Sequence, residues 1–115
     1  MTVIGFLSTA PVSDEPMSDQ VASAVEAIDE TGVTYQTGPM GTTIEAESID
    51  ELLEAVRAAH EAIDADRVST VLKIDDRRDT DKGAWEKVET VEESLGRPAT
   101  NRDQQLGRPA PDHDD

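Results

Sequence analysis

Residues 33–47 read VTYQTGPMGTTIEAE, and this stretch decides the fold. Val33, Tyr35 and Thr37 alternate with Thr34 and Gln36, the period of a half-buried strand. Gly38-Pro39-Met40-Gly41 is turn chemistry. From Thr42 to Glu47 the alternation resumes, with Ile44 and Ala46 on one face and Thr43, Glu45 and Glu47 on the other. A β-hairpin with a tight glycine-rich connection is the simplest structure for this pattern.

On the N-terminal side, Thr2 to Thr9 (TVIGFLST) is an apolar, β-branched run closed by Pro11, a buried first strand. Ser18 is placed to cap a helix in which Val21, Ala24, Val25 and Ile28 recur at helical spacing. Gly32 follows its last turn as a C′ residue. On the C-terminal side, Ser48-Ile49-Asp50-Glu51 is a capping-box pattern. Ile49, Leu52, Leu53, Val56, His60 and Ile63 then form the apolar stripe of a second helix. Val68 to Ile74 (VSTVLKI) is the last strand. Thr80 to Leu95 carries a third helix, with Asp79 or Thr80 as its cap and Trp85, Val88, Val91, Glu92 and Leu95 along one face.

The order is β-α-β-β-α-β plus a helix. That predicts an α+β fold of the ferredoxin-like kind, a four-stranded antiparallel sheet with two helices on one face. The other face stays open unless something covers it. Residues 1–95 form this domain. From Gly96 the segment RPATNRDQQLGRPAPDHDD holds three Pro and almost no large apolar side chain, so 96–115 is read as a disordered polar tail.

Bulk composition narrows the function. At 115 residues the chain makes one domain, burying only about two-thirds of the surface its unfolded form exposes. Phe6, Tyr35 and Trp85 are the only aromatics, so Val, Ile, Leu, Met and Ala must build a thin core, which self-association would support. Twenty-six acidic and ten basic residues leave a net charge of −16, a field that repels nucleic-acid phosphates and anionic lipid. Seven Arg against three Lys, with many acids, suggests adaptation to high salt, where screening relieves self-repulsion. Without cysteine there is no disulfide, thiol nucleophile or Cys-based metal site. No apolar run is long enough for a signal core or a membrane span, and the expected location is the cytoplasm.

Candidate chemistry lies on the open face. Helix-facing Val68, Thr70, Leu72 and Ile74 send Val71, Lys73 and Asp75 outward, as Ile44 and Ala46 send out Thr43 and Glu45. Glu45 and Lys73 then sit two strands apart, about 10 Å between backbones. A small polar heterocycle fits between acceptors Glu45 and Asp75 and donors Lys73 and Arg77, beside glycines that let backbone approach a ligand. On an exposed sheet, such charges are ordinarily just solvated. The run Asp75-Asp76-Arg77-Arg78-Asp79-Thr80-Asp81 lacks the glycine and acid spacing of an EF-hand loop, so no metal site is expected. His60 reads as a hydrogen-bonded packing residue. With no nucleophile elbow, phosphate loop or dinucleotide fingerprint, no catalytic residue and no cofactor are assigned.

Tyr35 to Glu47 with its P-M-G-T-x-x-E block, the A-x-x-A-A-H-E segment of the second helix, and Lys73-Ile74-Asp75-Asp76-Arg77-Arg78-Asp79 together resemble the small thiamine-binding protein family over residues 1 to about 95. The resemblance implies a ferredoxin-like fold, subunits paired through their sheets into dimers or tetramers, and binding of thiamine or its hydroxymethylpyrimidine moiety without a known reaction. Carried onto matching positions, it implies ligand-binding roles for Thr37, Met40, Gly41, Thr42, Glu45, Lys73, Asp75 and Arg77. The expected function is a non-enzymatic carrier, buffer or sensor. The alternatives are an oligomerisation module without a ligand, and an enzyme with Glu45 or Asp75 as base and Lys73 as electrophile.

Overall fold

The computed structural model describes residues 1–102. Its elements are β1 (Thr2–Pro11), α1 (Ser18–Glu30), β2 (Thr34–Thr37), β3 (Thr42–Ala46), α2 (Ile49–Ala62), β4 (Val68–Arg77) and α3 (Ala84–Leu95). The strands form one antiparallel sheet in the order β2-β3-β1-β4, the ferredoxin-like arrangement. Two compact units divide the chain, Met1–Ala84 with the sheet, α1 and α2, and Trp85–Asp115 with the rest of α3. Most of the expected tail, residues 103–115, lies outside the described residues.

Val3 and Leu7 of β1, Ile44 and Ala46 of β3, Ala24 and Ile28 of α1, and Leu52, Ala55, Ala59 and Ile63 from α2 onward form the core. A Cβ on Gly5 would stand 2.6 Å from Leu52 Cδ1, so the glycine is what lets Leu52 seat on the middle of β1. The buried face of α2 is therefore Leu52-Ala55-Ala59. It is rotated from the expected stripe, because small alanines permit a close approach and leave Ile49, Leu53 and His60 exposed. The three methionines, expected in the core, are all exposed as well.

Several boundaries follow from local chemistry. Ser48 Oγ accepts from Glu51 N–H at 3.1 Å, and Glu51 Oε2 accepts from Glu47 N–H at 3.3 Å, so the capping box forms with its return bond one residue further out. Gly32 takes φ +85°, the left-handed C′ conformation. Ser18 is not the cap of α1: Met17 holds that position in a helical conformation, which turns no side chain onto the first N–H groups. β4 runs three residues past Ile74 because β1 starts early enough for Thr2 to pair with Arg77. α3 begins at Ala84 rather than Thr80, since Thr80 Oγ1 instead accepts from Lys82 N–H in a tight turn at 3.2 Å. No α3 residue is buried, and Val88, Val91 and Leu95 are exposed.

Candidate functional site

The unequal lengths of β1 and β3 create the site. β4 accompanies β1 along its whole length, whereas β3 pairs only with Val3 to Leu7. Ser8 to Pro11 therefore have no strand neighbour on their second side. Val12 N–H donates to Arg67 C=O at 2.8 Å, which makes that pair a hydrogen-bonded one. Such pairs alternate along an antiparallel ladder. Ala10–Ser69 and Ser8–Val71 are then also hydrogen-bonded, and Leu7, Thr9 and Pro11 direct their backbone groups away from β4. Pro11 has no N–H to offer there. Leu7 pairs with Thr42. Thr9 is left with an N–H and a C=O on a free edge.

That edge opens into a pocket of about 200 Å³. α1 contributes Val21, Ala24, Val25 and Ile28, β1 contributes Leu7 to Ala10, and the hairpin contributes Thr37 to Thr42, with Met17 completing the wall. The walls are mainly apolar, and exposed Met17 and Met40 are two adaptable thioethers among them. The polar features are hydroxyls and the Thr9 edge. Leu7–Thr42 being a hydrogen-bonded pair makes Thr42–Thr37 a non-hydrogen-bonded one, whose side chains approach closely. Their hydroxyl oxygens are 2.9 Å apart. Thr9–Thr70 is a pair of the same type, with hydroxyl oxygens 2.7 Å apart.

The turn glycines act differently from expectation. Gly38 N–H is taken within the turn by Gly41 C=O at 2.8 Å, so it does not face a ligand. Gly41 is required by contact: a Cβ would lie 2.7 Å from the Leu7 carbonyl oxygen and 2.8 Å from Phe6 Cζ.

Four of the eight candidates from sequence, Thr37, Met40, Gly41 and Thr42, thus share one pocket on the helix side of the sheet. The other four stand on the opposite face, where the register sets Glu45, Ile4 and Asp75 in one row, Thr43, Phe6 and Lys73 in the next, and Thr2 opposite Arg77. Glu45 Oε1 accepts from Ala84 N–H at 3.0 Å, and a Cβ on Gly83 would collide with that carboxylate. Arg77 Nη1 donates to Lys82 C=O at 3.4 Å, so two of the four hold the segment that follows β4. Beside Glu45 is an open, acid-lined recess of about 590 Å³ with Thr34, Glu47 and Asp81. The Met1 α-ammonium donates to Asp81 there and holds its carboxyl below the ordinary aspartate value. Among the described residues no cluster of His, Asp or Glu is arranged to hold a metal ion, and no helix is long and apolar enough to cross a membrane. Sequence reasoning missed Thr9 and the α1 wall; the signal was β1, twice the length of β3.

A family model for thiamine-binding proteins matches residues 6–92. The chain belongs to the thiamine-binding protein family. A UPF0045 protein of Methanothermobacter thermautotrophicus is 55% identical over 82 residues, covering 69% of this chain and 83% of that protein. The crystal structure of a hypothetical Methanocaldococcus jannaschii protein superposes with a TM-score of 0.73 at 32% identity, covering 80% of this chain and 97% of that one. A Thermotoga maritima protein proposed to act in thiamine biosynthesis or salvage superposes with a TM-score of 0.68 at 26% identity, covering 79% and 99% of the two chains. Membership in the family agrees with the resemblance carried by the hairpin and the Lys73–Asp79 block.

Proposed function

We propose that the protein binds the aminopyrimidine ring of thiamine, or free hydroxymethylpyrimidine, in the pocket between α1 and the β2–β3 turn, without transforming it. The observation that carries this reading is the free edge of Thr9. A ring nitrogen accepts from its N–H while the adjacent exocyclic amine donates to its C=O, a two-point contact that an aminopyrimidine can make and a plain aromatic ring cannot. Apolar walls take the ring faces, and the Thr37–Thr42 hydroxyls supply further polarity. At about 200 Å³ the cavity is smaller than the roughly 300–1,000 Å³ of pockets for drug-sized ligands, which suits one ring. The thiazolium of thiamine then projects outward, where the net charge of −16 favours a cation.

Support for a binding role also comes from the family, and from the Thermotoga maritima neighbour proposed to act in thiamine biosynthesis or salvage. Self-association is part of the proposal: Phe6 and Val71 on the open sheet face are exposed apolar side chains that a second copy would cover. Nitrogen-15 NMR with hydroxymethylpyrimidine tests the ligand reading. Shifts centred on the Thr9, Gly38 and Gly41 amides are expected; shifts centred on Glu45 and Lys73 instead would transfer the site to the open sheet face.

A further inference from the structure

His60 joins the pocket through two hydroxyls. Its Nδ1 lies 2.6 Å from Thr70 Oγ1, which lies 2.7 Å from Thr9 Oγ1, and Thr9 lines the pocket. Each hydroxyl owns one proton, so the direction of donation along this chain is set at the histidine end. When Nδ1 carries a proton it donates to Thr70, Thr70 donates to Thr9, and the Thr9 proton is free for the pocket. When Nδ1 is a bare lone pair it takes the Thr70 proton. Thr9 must then donate to Thr70 to keep their bond, and it shows the pocket only lone pairs.

We infer that His60 is a positioning residue for ligand specificity, setting whether the Thr9 hydroxyl acts as donor or acceptor towards a bound heterocycle. This deepens the aminopyrimidine reading and rests on it. Protonation of the imidazole fixes Nδ1 as a donor, so the face that the Thr9 hydroxyl shows the pocket is coupled to the charge state of His60. On α2 the nearest charges in sequence are Arg57 and Glu61, which pair with each other at 3.7 Å, Arg57 also holding Glu54. Asp64 follows α2, and its N–H is taken by Gln20 of α1. The β4 side chains flanking Thr70 on that face are Val68 and Leu72, those of β1 flanking Thr9 are Leu7 and Pro11, and those of β3 are Thr42, Ile44 and Ala46. The buried α1 residues are Ala24 and Ile28. None of these is charged, and among the described residues no carboxylate forms an ion pair with His60.

The test is calorimetric titration of hydroxymethylpyrimidine from about pH 5 to 8 into wild type, His60→Gln, Thr9→Val and Thr9→Ser, with circular dichroism confirming each fold. The ligand's own protonation is common to all four proteins, so differences between their pH profiles isolate the chain. Wild type and Thr9→Ser are expected to share a profile that departs from those of His60→Gln and Thr9→Val by about five- to tenfold across the window, the worth of one hydrogen bond. Identical profiles for wild type and His60→Gln, with binding intact, overturn the role of His60. Absence of binding in wild type at every pH overturns the aminopyrimidine reading instead.

Discussion

The Thr37 and Thr42 hydroxyls face each other 2.9 Å apart across the β2–β3 pair, inside the pocket wall. Their mutual bond uses one of two hydroxyl protons and leaves the other for a ligand. Thr42 is only 6% exposed, and Thr42→Val keeps its branched shape while removing its hydroxyl. Ligand affinity is expected to fall about five- to tenfold, with stability changed by about 1 kcal/mol or less. Calorimetry and urea unfolding measure the two separately. An unchanged affinity would detach this hydroxyl pair from the site.

Gly41 is pinned between the Leu7 carbonyl and the Phe6 ring. Gly41→Ala forces one of them to move, and overpacking of this kind costs typically about 1–3 kcal/mol. A lowered urea midpoint is expected, together with weakened ligand binding, since Leu7 and Gly41 both line the pocket. Gly38→Ala meets nothing closer than 3.7 Å and serves as the tolerated control.

Glu45 is occupied by the Ala84 N–H. Glu45→Ala is expected to raise hydrogen exchange at the Ala84 amide and to leave hydroxymethylpyrimidine affinity within about twofold, because surface changes away from a site move energies by about 0.5 kcal/mol or less. Loss of ligand binding in this variant would restore the open sheet face as the site.

Tyr35 donates its hydroxyl to Asp29 Oδ1 at 2.8 Å, and that bond raises its phenol above the ordinary tyrosine value. The folded chain therefore holds this proton more tightly than the unfolded one. The stabilisation is complete below the ordinary tyrosine value of about 10 and is lost as pH rises through the raised value. The stability difference between wild type and Tyr35→Phe is thus expected to be constant through neutral pH and to shrink in strong alkali. A difference that grew with pH would contradict the assignment.

The ferredoxin-like order was legible because period-two patterning in Val33–Glu47 and the Ser48–Glu51 box are local signals, read without tertiary context. The face of α2 was less legible. Ala55 and Ala59 carry little hydrophobic weight in a sequence, yet both are fully buried in the core that holds Leu7 and Ile28. Four of the eight site residues expected from sequence lie in the hairpin and line the pocket. The other half, Glu45, Lys73, Asp75 and Arg77, was placed on the correct sheet face, but a pocket behind the sheet depends on where β3 stops against β1. The contact proposed for Thr9 uses its main-chain N–H and C=O, which no side-chain motif can announce.

Calorimetric titration of wild type with hydroxymethylpyrimidine and with thiamine in high salt tests the central claim most directly. Saturable binding of both ligands, one per chain, is expected, with the free pyrimidine keeping most of the affinity because its ring alone fills the pocket. No heat from either ligand at millimolar concentration would contradict it.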